Sequence, residues 1–428
     1  IVTFKDIMFI LFQINVVANS GSTGRVTEGI AEILTSNDWI CYTAFGRWAN
    51  SSITHLYRIG NKWSVYSHYL ISRIFDMHGL ASIYATKRLI GEIKKINPDL
   101  IHLHNIHGYY INYPLLFGFL SETNIPVVWT LHDCWSYTGH CVHYTNVNCS
   151  KWKRGCYNCP NLQDYPGALL CDHSKKNYQI KKKSFTSLKN LTIVTVSQWL
   201  ANEVKQSFLC NYPIRVIHNG VDINVFRPVG DKAKLKYNME KQMRRHNKSA
   251  HHGKQNNFPC FWLLILGVAT VWNVRKGLSD FIKLAENLSS DDRVILVGLS
   301  QKQISQLPPN IIGLQKTENV EELVNLYSSA DLFMNFSVEE TFGLTTVESM
   351  ACGTPALVYN STACPEIVTE ETGFIIEPHS IDEALNVIKH IKSVGKQYYA
   401  DNCRSYVLKK FRKEDKYKEY VALYQELL

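Results

Sequence analysis

The sequence predicts an α/β fold with two doubly wound parallel domains, and three observations carry the prediction. Short β-rich runs alternate with stretches of helical period, the pattern of parallel βαβ units. The alternation runs twice, on either side of a polar segment over 229–259 rich in Lys, Arg, His, Asn and Gln. At 428 residues the chain is too long for one ordinary core and suits two. The expected boundaries are an N-terminal domain over 1–220, a linker over 221–261 and a C-terminal domain over 262–411. A last helix over 412–428 is expected to pack back on the first domain.

In the first half, strands are expected over 8–16, 39–45, 100–104, 126–132, 191–197 and 214–218. Each is short and apolar, as a strand buried on both faces must be. Val26, Ile30, Ile33 and Leu34 mark one face of the first helix, and Leu80, Ile83, Ile90 and Ile93 mark a later one. In the second half, strands are expected over 262–269, 293–297, 331–336, 355–359 and 374–376. Leu278, Phe281, Ile282, Ala285 and Leu288 form a helical face. Ser380, with Glu383 three residues on, reads as a capping box opening a helix over 380–392. One segment breaks the rhythm: His132 to Leu191 is nearly sixty residues, where a crossover needs about thirty. This insert, about 134–185, has few aliphatic runs and a Tyr165-Pro166-Gly167 turn. It is expected to have little core of its own and to need a staple.

With 45% apolar and 19% charged residues, disorder, collagen and coiled coil are excluded. The formal net charge is +9, and all of it sits in residues 1–220, where 21 Lys and Arg stand against 12 Asp and Glu. Residues 221–428 carry 25 of each. Such a half suits an anionic membrane, a nucleic acid or an anionic substrate, or is simply a soluble surface. Its densest cluster is Lys175, Lys176, Lys181, Lys182 and Lys183. No stretch reaches the ~18 consecutive apolar residues of a spanning helix, and residues 1–20 lack the layout of a secretory signal. Of twelve cysteines, Cys134, Cys141, Cys149, Cys156, Cys159 and Cys171 crowd into the insert. Cys141, Cys149, Cys156 and Cys159 read C-x7-C-x6-C-x2-C, whose closing C-x2-C is the usual knuckle of tetrahedral zinc. Without a secretory signal, the pattern points to a structural metal rather than to disulfides. Cys134, His140 and His143 are alternative ligands, an iron–sulfur cluster is a minor alternative, and metal-free thiols are the plain one.

Four motifs carry chemistry. Asn19-Ser20-Gly21-Ser22-Thr23-Gly24-Arg25 joins the first strand to the first helix. Gly21 and Gly24 let the backbone approach a ligand, and the helix start offers N–H donors to an anion, although a tight turn explains the glycines equally well. Thr130-Leu131-His132-Asp133 ends a strand, where doubly wound sheets bind ligands. His132 and Asp133 there can bond a substrate hydroxyl or pass a proton; His102, His104, Asn105 and His107, ending the neighbouring strand, are expected along the same cleft. Trp272-Asn273-Val274-Arg275-Lys276-Gly277 opens a helix and sets Arg275 and Lys276 to neutralise a diphosphate. The most specific motif runs from Ser337 to Pro355: Glu340 in a loop, Gly343 at a helix start, and Glu348 about two turns on. Carboxylates accept paired hydrogen bonds from vicinal hydroxyls, so the two suit a sugar and a ribose.

On these residues the chain resembles the retaining glycosyltransferases of family 4, whose fold is GT-B, two Rossmann-like domains facing across a cleft. Glu340 and Glu348 match that family's E-x7-E signature. His132-Asp133, the loop with Gly21 and Gly24, Asn219-Gly220-Val221-Asp222 and Arg275-Lys276-Gly277 fall where the family has corresponding elements, so the resemblance covers nearly the whole chain. It is nearest to bacterial enzymes of capsule, exopolysaccharide and lipopolysaccharide assembly that carry a His-Asp-Cys-Trp insert. The resemblance implies a UDP- or GDP-sugar in the C-terminal domain and transfer with retention to a glycan or lipid-linked acceptor. It implies that Glu348 binds the ribose and that Glu340, with the backbone of Phe342, Gly343 and Leu344, holds the donor sugar. Lys276 and Arg275 would stabilise the departing diphosphate, with Gly21, Gly24 and Asn219 contributing to the donor site. His132, with Asp133, would contact the sugar. The family's usual basic residue six positions before the Lys is Thr270 here, and Arg275 is expected to stand in for it.

The resemblance further implies no catalytic metal and no nucleic acid, and a cytoplasmic enzyme peripheral to an anionic membrane surface. The alternatives are a GT-B sugar-nucleotide phosphorylase or hydrolase, and a zinc-knuckle nucleic-acid-binding protein, which leaves Glu340 and Glu348 without a role. A nicotinamide oxidoreductase is disfavoured because no G-x-G-x-x-G with an acidic residue ~20 positions on is present.

Overall fold

The computed structural model describes residues 8–230 and 263–428. Most of the expected linker over 221–261 lies outside the described residues. Two compact units divide the chain: Ile1–Asn219 with Glu414–Leu428, and Gly220–Lys413.

The first unit is built on seven parallel strands: β1 (Ile10–Asn15), β2 (Ile40–Phe45), β3 (His55–Arg58), β4 (Leu100–Leu103), β5 (Val127–Leu131), β6 (Leu191–Thr195) and β7 (Ile214–Val216). Their order is β3-β2-β1-β4-β5-β6-β7, so the winding reverses between β1 and β4. Every residue of β4, β5 and β6 is buried, as in a parallel sheet covered on both faces. The connections hold α1 (Gly21–Thr35), α2 (Lys62–Phe75), α3 (Ile83–Ile96), α4 (Tyr113–Ser121), α5 (Ser174–Phe185) and α6 (Gln198–Val204). The α3 stripe differs from the expected one: Ala85, Leu89 and Ile93 are buried, whereas Ile83 is 53% exposed.

The second unit repeats the scheme with β8 (Leu264–Val268), β9 (Arg293–Val297), β10 (Ile311–Leu314), β11 (Leu332–Asn335), β12 (Ala356–Tyr359) and β13 (Gly373–Ile376). The order β10-β9-β8-β11-β12-β13 reverses between β8 and β11. Its helices are α7 (Leu278–Glu286), α8 (Gln301–Ile304), α9 (Val320–Ser329), α10 (Leu344–Ala351), α11 (Ile381–Val394) and α12 (Gln397–Lys410). Residues 221–230 are packed into this unit. The Val221 amide donates to the Phe411 carbonyl at 2.7 Å, and the Arg404 guanidinium donates to the carbonyls of Phe226 and Ile223. The last helix, α13 (Lys413–Leu427), belongs to the first unit, where Tyr417, Tyr420, Leu423 and Tyr424 share a core cluster with Val26, Ile30 and Leu34 of α1.

Several expectations need correction. Strands β3 and β10 went unrecognised: both are short edge strands and only partly buried, so their apolar signal is weak. The capping box at Ser380 does not form. Ser380 is not extended, its amide donates to the Glu377 carbonyl, and Glu383 accepts from the Glu377 amide instead. The insert does have a core, made of aromatic rather than aliphatic groups: Trp135, Tyr137, Tyr144 and Trp152 are all buried. Lys181 is not on the surface but 1% exposed, donating to the carbonyls of Trp135 at 2.6 Å and Thr138 at 3.0 Å.

Candidate active site

Doubly wound sheets bind ligands at the reversal of strand order, beyond the strands' C-terminal ends. In the second unit that point lies between β8 and β11, and the loops leaving these strands carry the charged motifs. After β8, the Asn273 side chain accepts from the Lys276 amide at 3.2 Å and caps a single 3-10 turn, Val274–Lys276. Gly277, at φ 72°, ends that turn and starts α7. A Cβ there would stand 2.3 Å from the Phe336 carbonyl oxygen, so a glycine is what lets this loop lie against the loop after β11. The Val338 amide donates to the Arg275 carbonyl at 2.9 Å and joins the two loops.

That junction brings four charges together. The Lys276 ammonium donates to the Glu340 carboxylate, and the Arg275 guanidinium lies 3.4 Å from Glu339. A third loop, after β12, steadies Glu340: its amide donates to the Thr362 hydroxyl at 2.9 Å, and its carbonyl accepts from the Ala363 amide at 3.2 Å. Gly343, at φ 96°, is the N-cap of α10, whose first amides have no carbonyl partner within the helix and whose dipole favours an anion. Phe342 is buried and packs on Phe411 with ring centres 5.7 Å apart, so its side chain is core and its backbone is what a ligand can meet. Leu344 is the first residue of α10, and Glu348, one turn further on, is buried and accepts from the Tyr327 hydroxyl at 3.0 Å. Two residues of this arrangement had no assigned role from sequence. Glu339 pairs with Arg275, and Asn335, a polar residue ending an apolar strand, donates to Thr346 Oγ1 and accepts from the Ser337 amide.

In the first unit the reversal lies between β1 and β4. Gly21 is the exposed first residue of α1 at φ 61°. Ser20, the N-cap, makes no side-chain cap to the helix start, and its hydroxyl accepts from the Trp48 indole at 3.1 Å. Gly24 is buried, and a Cβ on it would stand 3.2 Å from both the Asn19 nitrogen and the Val17 side chain. Its small size therefore packs the helix onto its own loop rather than admitting a ligand. The structure sets the two residues in separate pairs: His132 Nε2 bonds His104 Nδ1 at 3.2 Å, and Asp133 Oδ2 bonds His107 Nε2 at 2.7 Å. Burial lowers the His132 pKa to about 4. Burial opposes ionisation of Asp133, but His107 and the Trp135 amide outweigh it and hold the carboxyl at about 2. His102 does not line this edge. It is fully buried, bonded to Thr130 Oγ1 and to the Tyr424 hydroxyl of α13. Asn219 is the last residue of this unit, two before the bridge of Val221 to Arg412.

Cys141, Cys149, Cys156 and Cys159 are free thiols lining one cavity of the insert, together with His140. Cys134 and His143 do not line it. Among the described residues, no three His, Cys, Asp or Glu side chains stand ready-made in metal-holding geometry.

Two family models match this chain: Glycosyltransferase Family 4 over residues 61–225 and Glycosyl transferases group 1 over residues 261–405. Among curated relatives, WcaC of Escherichia coli K12, named as a colanic acid biosynthesis glycosyl transferase, is 31% identical over 29% of this chain and 32% of its own. D-inositol 3-phosphate glycosyltransferase of Mycolicibacterium smegmatis is 28% identical over 42% of this chain and 39% of its own. The chain therefore spans well under two thirds of these relatives' length. Sucrose-phosphate synthase of Thermosynechococcus elongatus superposes with a TM-score of 0.70 at 17% identity, covering 98% of this chain and 99% of that one. HepE of Anabaena, solved with UDP-glucose, has a TM-score of 0.61 at 15% identity, with 96% and 99% covered. WaaG, a glycosyltransferase involved in lipopolysaccharide biosynthesis, has 0.64 at 12%, with 96% and 99% covered. The fold is GT-B, and the chain belongs to the glycosyltransferases, with a family 4 domain followed by a group 1 domain.

Proposed function

We propose that this protein is a retaining glycosyltransferase moving a sugar from a UDP- or GDP-sugar to a glycan or lipid-linked acceptor in bacterial surface-polysaccharide assembly. The observation that carries the reading is the double pairing of Lys276 with Glu340 and Arg275 with Glu339 at the sheet's reversal point, next to the start of α10. Two cations are thus already positioned, each neutralised by a carboxylate. An entering diphosphate takes the carboxylates' place on Lys276 and Arg275, and Glu340 is released to accept hydrogen bonds from sugar hydroxyls. As the bond from the anomeric carbon to the leaving oxygen lengthens, negative charge grows on the diphosphate. The two cations and the helix dipole act on that charge most strongly in the transition state, which is where they lower the barrier. Glu348, oriented by Tyr327, accepts from the ribose hydroxyls. Departure and attack on one face of the sugar, as in the family resembled, leave the anomeric configuration unchanged.

Other support comes from the relatives: HepE was solved with UDP-glucose, and WcaC and WaaG are named for surface polysaccharides. An anionic membrane suits the exposed lysines of α5 (Lys175, Lys176, Lys182 and Lys183) and the Trp63, Tyr66 and Leu70 face of α2, because basic and aromatic groups are what a headgroup layer takes up. Among the described residues no helix is long and apolar enough to cross a membrane.

The test is product formation from a panel of UDP- and GDP-sugars with a lipid-linked glycan acceptor. Lys276→Ala and Glu340→Ala are expected to lose transfer by about 100-fold or more while keeping the wild-type unfolding temperature. Near wild-type rates in either variant would overturn the site assignment. Free sugar or sugar phosphate as the sole product would overturn transfer itself.

A further inference from the structure

We propose that the insert between β5 and β6 is stapled by one structural zinc ion bound to the thiolates of Cys141, Cys149, Cys156 and Cys159. The insert crosses nearly sixty residues with short 3-10 turns and one helix, so no sheet ladder fixes the segment that carries these cysteines. Yet all four cysteines, spread over residues 141–159, line the same cavity.

Three surrounding features fit a charged cluster better than four neutral thiols. His140 lines the cavity at 2% exposure; its Nδ1 is bonded to Asp76 at 2.6 Å, and its Nε2 is buried without a hydrogen-bond partner. A buried ring nitrogen needs a partner, and a ligating thiolate supplies one. Lys181 is 1% exposed and lies 3.6 Å from the centre of the Trp135 ring, and no carboxylate among the described residues pairs with it. Burying an ammonium is costly, and nearby negative charge offsets that cost. A divalent ion with four thiolates carries a net charge of about −2, which would add to the Asp76 and Asp133 carboxylates that already act on Lys181. Finally, the Gly139 amide donates to Cys156 Sγ at 3.1 Å, a bond that favours the thiolate. Loading breaks four S–H bonds, forms four S–Zn bonds and releases the protons to solvent.

The experiment uses the full chain purified anaerobically with reductant. Elemental analysis is expected to find about one zinc per chain, and cobalt exchanged into the site should show thiolate-to-cobalt charge-transfer absorption. Cys156→Ser and Cys159→Ser should lose both signals, while Cys210→Ser, at an exposed thiol elsewhere, should keep them. Because a ligand variant that fails to fold loses metal trivially, wild type carries a second readout: a strong zinc chelator should lower its unfolding temperature, and added zinc should restore it. Less than about half an equivalent of zinc, or no response to chelation, would overturn the proposal. So would a Cys141–Cys159 disulfide in the purified protein.

Discussion

Buried histidines set the acid limit of the first unit. Burial lowers His68 and His132 to about 4 and drives His78, His102 and His104 well below their usual value. In the unfolded chain these rings take up protons near pH 6.5, whereas in the folded unit His68 and His132 do not until about pH 4 and burial keeps the other three neutral well below their usual value. Between those values the unfolded state binds more protons, so stability falls as pH falls, by up to about 1.4 kcal/mol per pH unit for each group in its window. The unfolding temperature is expected to hold above about pH 7 and to drop steeply toward pH 4; a flat profile over that range would contradict the neutral-histidine assignment. The same residues mark what local reading can reach. His132 and Asp133 were legible as a polar pair at a strand end, with His104 and His107 expected beside them from the neighbouring strand, but which group bonds which was not, because such pairings are set across the sheet rather than along the chain. His102 was misplaced for the same reason: the Tyr424 hydroxyl that claims it lies 322 residues away.

Helices and loops show where periodicity suffices and where packing overrides it. The core strands of both sheets were legible because burial on both faces leaves continuous apolar runs. The edge strands β3 and β10 were not, since exposure dilutes that signal. Gly29 illustrates the override. It sits inside α1, where glycine costs about 1 kcal/mol relative to alanine, yet a Cβ there would stand 2.1 Å from the Tyr417 ring of α13. Gly29→Ala is therefore expected to destabilise the protein by about 1–3 kcal/mol in urea unfolding. A gain in stability, as helix propensity alone would give, would show that α13 does not pack there. The loops after β8 and β11 were legible as motifs because they carry Gly, Asn and charges in strict order. Their joining through Val338 and Arg275 was not, since it is set by strand order rather than by neighbouring residues.

In each of the two units a reversal of strand order collects the loops that carry the candidate site residues, and it is on those residues that the family resemblance rests. The charge asymmetry is sharpened by the burial of Lys181, which removes it from the basic surface and leaves four exposed lysines on α5. If these and Trp63 meet a membrane, the Lys182→Glu, Lys183→Glu double variant should partition to phosphatidylglycerol vesicles at least about tenfold more weakly, at roughly 1 kcal/mol per lysine. Unchanged co-sedimentation would leave the excess charge as a plain soluble surface. The central claim, that Arg275, Lys276, Glu340 and Glu348 form a nucleotide-sugar site, is tested most directly by calorimetric titration of wild type and Lys276→Ala with UDP and with GDP. The account predicts saturable binding of one of the two nucleotides, weakened about tenfold or more by Lys276→Ala through loss of a charge-assisted contact to the diphosphate. Binding of neither nucleotide, or equal affinity in both proteins, would contradict it.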